Sequence, residues 1–95
     1  MSFAACTDAF SEAVEALTSL RRRMICQALR RADGPMRRDE VMYLARFPSP
    51  REHPVIAYAT FALEVMRINS RLRRIGMTIA NDAAEMYWLR ELPKN

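Results

Sequence analysis

The chain has 95 residues, 51% of them apolar, and its 15 basic and 11 acidic residues give a formal net charge of +4. This length fits one small domain with a modest core, and the composition excludes an intrinsically disordered chain. Because there are only two glycines and no apolar run near the roughly 20 residues that span a bilayer, a phosphate-cradling glycine loop and a membrane span are excluded as well.

Positive charge is concentrated in the middle of the chain. Thirteen arginines and five acidic residues lie between Leu20 and Asn81, whereas the residues before Leu20 include three acids and no base. This asymmetry favours an anionic partner, with double-stranded DNA as the leading candidate. The N-terminus lacks the cationic start of a signal peptide, so we expect a cytoplasmic protein.

The reactive side chains form no recognisable catalytic or metal-binding motif. Cys6 and Cys26 are too far apart for a CxxC motif, and the single histidine, His53, lies beside a proline without a nucleophile at a characteristic spacing. We therefore expect a protein that is not an enzyme and that uses no metal or cofactor.

Two helices are predicted before residue 33. Apolar residues recur on one face of Thr7–Leu17 and again along Leu20–Ala32. Thr18 or Ser19 can cap the second helix, although the two segments can also merge into one. The N-terminal apolar strip is larger than the core needs, so we expect it to join two copies of the chain as a homodimer. The strip consists of Phe3, Phe10, Val14 and Leu17.

A third helix is predicted over Arg37–Phe47. The turn residues Asp33–Pro35 precede it, and a proline-rich stretch follows it. Its expected buried positions are Val41 and Leu44, with Met42 as a further candidate.

The longest predicted helix runs from Pro54 to Ile75 and carries two different faces. Apolar residues at alternating spacings of four and three form one stripe, which consists of Phe61, Val65, Ile68, Leu72 and Ile75. Gly76 ends the helix. The opposite, exposed face is rich in arginine; it carries Arg67, Ser70, Arg71 and Arg74, flanked by Asn69 and Arg73.

The periodicity changes after Gly76 from helical to alternating. Met77–Asp82 and Met86–Leu92 are predicted strands joined by a short polar turn, which together make a β-hairpin. We expect Met77, Ile79, Met86 and Trp88 to face inward, and Thr78, Tyr87 and Leu89 to face outward.

This order of elements resembles the winged helix-turn-helix domain, and most closely the C-terminal DNA-binding domain of OmpR-like response regulators. "GPMRRDEVMYL" resembles that family's second helix and the turn before it. "INSRLRRIGMTI" resembles its recognition helix and first wing strand, and "MYWL" resembles the end of its second wing strand. The fold class implied is mainly α (α+β), with three to four helices followed by a C-terminal β-hairpin wing. The resemblance implies a winged-helix domain over residues 19–95, and we expect residues 1–18 to form an N-terminal helical extension that serves as a dimerisation element.

The resemblance implies a small transcriptional regulator that binds double-stranded DNA sequence-specifically through a basic recognition helix in the major groove. Arginine can pair with guanine and asparagine with adenine, while other cations contact phosphate. The residues assigned in or beside the groove are Arg67, Asn69, Ser70, Arg71, Arg73 and Arg74. Those assigned to the flanking DNA backbone are Arg37 and Arg38.

Two alternatives stay open at this point. The hairpin tip "NDAAE" carries Asp82 and Glu85, which would repel phosphate, so the domain can instead be an interaction module that binds another transcription regulator as an anti-activator or adaptor. The arginines can also form an ordinary solvated helix face, on which Glu64 pairs with Arg67 or Arg71.

Overall fold

The computed structural model describes residues 10, 12–14, 16–17, 19–48, 51 and 53–93. In these residues three helices accompany a three-stranded antiparallel sheet, which confirms the expected α+β class. The helices are α1 (Leu20–Ala32), α2 (Arg38–Leu44) and α3 (Pro54–Leu72), and a 3-10 turn, Arg73–Ile75, follows α3. The strands are β1 (Met36–Arg37), β2 (Met77–Asn81) and β3 (Met86–Glu91). No helix among the described residues has the length and apolarity needed to cross a membrane.

Local signals set the helix ends. The Ser19 hydroxyl accepts a hydrogen bond from the Arg22 amide at 3.5 Å, so α1 starts at its own cap and does not merge with the helical residues at 10 and 12–14. Pro54 occupies the first turn of α3, where its missing N–H has no cost. Gly76 ends the following turn with φ 74°, a conformation that suits glycine.

Helix α2 is shorter than predicted. It starts after Arg37, which provides no side-chain cap, and ends at Leu44. Arg46 then adopts a left-handed φ of 61°, which stops the helix before Phe47. Val41 and Met42 are buried as expected, but Leu44 is 45% exposed, so its predicted burial is wrong.

The core lies between the helices and one face of the sheet. Phe61 is fully buried and packs edge-on against Phe47 and Tyr87, with ring centroids 5.6 and 5.2 Å away. The predicted α3 stripe is confirmed at its four buried positions, Phe61, Val65, Ile68 and Leu72. Ile75, the fifth position, is partly buried against the same core.

The N-terminal apolar residues also belong to this core. Phe10, Val14 and Leu17 are only 2%, 6% and 4% exposed within a single chain, and Phe3 lies outside the described residues. Side chains already covered by their own chain cannot form the exposed strip on which the predicted dimer contact depended. These three side chains pack in the same core as the buried residues of α1, α2 and α3.

The predicted hairpin is confirmed, but the sheet contains a strand that was not predicted. Its order is β1-β3-β2, and β1 pairs Met36 with Tyr87 and Arg37 with Met86. A two-residue strand is too short to show an alternating pattern, so its pairing depends on the approach of β3.

The inward face of β3 is opposite to the prediction. The register pairs Ile79 with Leu89 and Ala80 with Trp88, and directly opposite residues share a face of the sheet. Since Ile79 is buried, Leu89 and Tyr87 face the core, whereas Trp88 and Met86 lie on the outer face. Both faces of β3 carry apolar side chains, and alternation alone therefore does not distinguish them.

Candidate nucleic-acid interface

The end of α3 and the 3-10 turn after it present a cluster of cationic side chains, which we call the arginine cluster: Arg67, Arg71, Arg73 and Arg74. Ile68 and Leu72 are buried on one side of the helix, whereas all four arginines are exposed. The cluster spans only about 10 Å along the helix, at a rise of 1.5 Å per residue. Ser70 is exposed among these arginines. The arrangement therefore offers several guanidinium groups and one hydroxyl to an anionic surface.

A buried carboxylate orients one member of the cluster. Glu64 is 8% exposed; its carboxylate accepts from the Arg22 Nε at 2.6 Å and from the Arg67 Nη1 at 3.3 Å. The hydrogen bond from Arg22, aided by the charge of Arg67, lowers the pKa of Glu64 despite the opposing effect of burial. Glu64 therefore stays ionised, links α1 to α3 and holds the Arg67 side chain, which is 52% exposed.

Sequence reasoning anticipated the Glu64–Arg67 pair but missed Arg22. Residues three apart on a helix are neighbours, so the first contact could be read locally. Arg22 is 42 positions away on another helix. The sequence signal for a distant partner was Glu64 itself, because an acid next to the buried residue Val65 needs a cationic partner.

The Asn69 side chain forms two hydrogen bonds with the sheet, so its amide is not free to pair with adenine. Its Oδ1 accepts from the Ile79 amide at 2.7 Å, and its Nδ2 donates to the Ile79 carbonyl at 3.2 Å. Strand β2 lies at the edge of the sheet, so these backbone groups have no partner strand on that side. The side chain replaces that missing strand, which corrects its assignment to DNA contact.

Arg38 is likewise held within the fold. Its guanidinium lies 3.6 Å from the centre of the Tyr58 ring and 3.0 Å from the Glu85 Oε2, and the side chain is 19% exposed. Its backbone amide also donates to the Glu85 carbonyl at 2.9 Å. These contacts join α2, α3 and the hairpin turn, so the assignment of Arg38 to the DNA backbone is corrected; Arg37, by contrast, is exposed on the outer sheet face.

The acidic hairpin tip has a structural explanation. The Asp82 Oδ1 accepts from the Ala84 and Met86 amides at 2.9 and 3.1 Å, as in other turns closed by aspartate. Glu85 has φ 63° and pairs with Arg38. The two carboxylates that suggested a protein partner thus have partners within the fold: Asp82 closes the turn, and Glu85 forms an ion pair with Arg38.

The N-terminal segment brings a negative charge beside the arginine cluster. Glu12, Ala13 and Ala16 line one shallow groove together with Arg71 and Arg74. A ligand approaching these arginines therefore also meets the Glu12 carboxylate. The sequence placed Glu12 on a separate helix, and only packing of that segment reveals the neighbourhood.

Features suited to catalysis or to metal binding are few in the described part of the chain. No group of three or more His, Cys, Asp or Glu residues there is placed to hold a metal ion. Burial raises the pKa of the Cys26 thiol to about 12, so this cysteine is protonated and inert at neutral pH.

Comparisons with family models, with curated proteins and with solved structures found no match. The functional argument therefore depends on the geometry of this chain.

Proposed function

We propose that the protein binds double-stranded DNA through the arginine cluster of α3 and acts as a small transcriptional regulator of the winged-helix type. The observation that carries this proposal is the exposure of Arg71, Arg73 and Arg74 at one helix end, directly before the β2–β3 hairpin. Three helices and a hairpin wing are the arrangement that the proposal requires.

Phosphate contact is the main role proposed for these arginines. Duplex DNA carries about one negative charge per 1.7 Å of axis, so a cluster about 10 Å long faces several phosphates at once. The Glu64 carboxylate pre-orients Arg67 and thereby reduces the side-chain entropy lost on binding. Ser70 and Arg71 are the candidates for contact with base edges.

The test compares two matched double variants by fluorescence anisotropy with a random duplex at several salt concentrations. Arg71→Ala with Arg74→Ala removes two charges from the cluster. Arg31→Ala with Arg90→Ala removes two exposed charges elsewhere. The first pair should flatten the slope of log affinity against log salt by about 1.8, at about 0.9 per phosphate contact, while the second should change it little.

Circular dichroism should show the same helical content in both variants, since all four side chains are exposed. Equal losses from both pairs would show that general charge, and not α3, attracts DNA. A wild-type protein without salt-sensitive binding would reject the proposal.

Binding to another transcription regulator is the second candidate. It gains no support from Asp82 and Glu85, because the first carboxylate closes the hairpin turn and the second pairs with Arg38. Exposed apolar residues on the first half of α3 do favour a protein contact at that site. The same duplex titration separates the two candidates, since only DNA binding requires a salt slope set by the arginine cluster.

A further inference from the structure

The first two-thirds of α3 expose a row of apolar side chains, which precedes the arginine cluster along the helix. Val55, Ile56, Leu63 and Met66 are 80%, 66%, 43% and 67% exposed, and Ala59 and Ala62 on the same face are exposed too. Single exposed apolar residues are ordinary, whereas a continuous row marks an interaction surface. We call this row the apolar stripe; it consists of Val55, Ile56, Ala59, Ala62, Leu63 and Met66.

The centre line of the stripe is symmetric about its midpoint. Val55, Ala59, Ala62 and Met66 follow one another at spacings of four, three and four. Large side chains lie at both ends and small ones in the middle. Such a sequence matches itself when it is reversed, which is the property that a two-fold interface requires.

We propose that the apolar stripe binds a second copy of this chain, with the two α3 helices antiparallel and the two-fold axis between Ala59 and Ala62. Ala59 then faces the second copy's Ala62, and Val55 faces its Met66. The alanines at the centre allow the two helix backbones to approach closely, while the larger residues fill the space at both ends.

Charge selects the antiparallel arrangement. All four arginines of the cluster follow the stripe toward the end of α3, beginning at Arg67. A parallel pair would place two clusters side by side, and like charges across an interface cost several kcal/mol. Antiparallel pairing moves the clusters to opposite ends of the helix pair and removes this repulsion.

The same arrangement gives the dimer a geometry suited to DNA, a step that rests on the proposed function. At about 100° per residue, Arg67 and Arg71 lie roughly a third of a turn around α3 from the centre of the stripe, on the side of Ile56 and Leu63. A two-fold axis perpendicular to the helices keeps this side common to both copies. The two Arg71 positions are then roughly 30 Å apart along the pair. That separation is close to the 34 Å or so between half-sites one helical turn apart.

Light scattering across a concentration series tests the interface without DNA. Wild type should reach twice the mass of the chain. Ala62→Glu should raise the dimer dissociation constant at least about tenfold, because it places two carboxylates at the two-fold axis. Ala62 is exposed and glutamate is a good helix former, so the variant should keep its helical content. Tyr43→Glu, at a residue that is 80% exposed on α2, adds the same charge and should leave the mass unchanged.

A wild-type protein with single-chain mass throughout the series would overturn the proposal and leave the stripe to a different protein. A dimer that Ala62→Glu does not weaken, or that both variants weaken equally, would overturn it too.

The DNA step has its own readout. With a random duplex, Ala62→Glu should reduce the salt slope to roughly half that of Tyr43→Glu, because a single copy neutralises half as many phosphates. An equal slope in both variants would reject binding of the dimer to two half-sites. The masses from light scattering decide separately whether the dimer forms. Absence of any DNA binding would reject the proposed function and leave the mass result unaffected.

Discussion

Asn69 covers the open edge of the sheet with both ends of its amide. The two hydrogen bonds to Ile79 satisfy a donor and an acceptor of edge strand β2 and attach the hairpin to α3. Burying such groups without a partner costs about 1–3 kcal/mol. Asn69 therefore holds the hairpin in place beside the arginine cluster.

Replacing this amide should destabilise the fold. Asn69→Ala is expected to lower the free energy of unfolding by about 2 kcal/mol, since it leaves the Ile79 amide and carbonyl unpaired. Urea denaturation measures the change, and Ser70→Ala, at the exposed neighbouring position, provides the control. If the two variants were equally stable, the paired hydrogen bonds would carry no net stability.

Glu64 makes the stability of the protein depend on acid pH. Its pKa is lowered in the folded state from an ordinary value of 4.5, chiefly by the hydrogen bond from Arg22. A lowered folded pKa contributes stability that is present above the unfolded pKa and is lost as the pH falls through the folded value. The loss should therefore begin near 4.5 and continue below it.

Glu64→Gln should remove this part of the pH dependence and cost about 2 kcal/mol at neutral pH, because two arginines lose their carboxylate. Thermal denaturation between neutral and strongly acid pH measures both effects. Glu40→Gln, at an exposed position in the first turn of α2, should keep the wild-type pH profile. Parallel profiles for Glu64→Gln and wild type would show that the ion pair contributes nothing to this transition.

At the scale of elements, the face of β3 that packs on the core fixes the orientation of the hairpin. Tyr87 packs on Phe61, and burial raises the pKa of its phenol. Trp88, opposite Ala80, lies on the outer face and is only partly buried. Trp88 therefore does not cover the core beneath the sheet. Tyr87 covers it instead.

The single tryptophan reports this orientation directly. Its fluorescence in the native protein should be quenched appreciably by acrylamide, since an outer-face indole is accessible to the quencher. Trp88→Ala should cost less stability than Phe61→Ala, for which loss of a fully buried ring predicts about 3–5 kcal/mol. If acrylamide did not quench Trp88, or if Trp88→Ala cost more stability than Phe61→Ala, the assignment of the two faces of β3 would be wrong.

The whole molecule combines a basic α3 end with an acidic N-terminal segment. Glu12 lines the groove that contains Arg71 and Arg74, so its carboxylate lowers the positive potential of that groove. The segment is also anchored by Phe10 and Val14 in the core, which keeps this carboxylate near the cluster.

Glu12→Gln should increase affinity for a random duplex several-fold at low salt, and the gain should shrink as salt screens the charge. Anisotropy titrations at two ionic strengths measure it. Glu40→Gln removes the same charge from an exposed site outside the groove and should have a smaller effect. Equal gains would assign the effect to net charge and not to this neighbourhood.

The sequence alone determined the elements whose signals are local. A cap, a proline and a glycine mark the ends of α1 and α3, and the spacing of Phe61 through Leu72 identifies the buried face of α3. The switch to alternation after Gly76 locates the hairpin. Each of these signals involves residues a few positions apart, whose relative geometry the helix or strand period sets.

Only the tertiary structure decided which distant groups meet. Arg22 reaches Glu64, Asn69 turns to Ile79, and Arg38 is held by Tyr58 and Glu85. The same packing buries Phe10, Val14 and Leu17 and selects the inward face of β3. Local periodicity cannot determine these contacts. Both faces of β3 are apolar, so alternation does not identify the buried one. An arginine or asparagine can bond to solvent, to DNA or to a buried partner, and only the folded chain decides which of these lies near it.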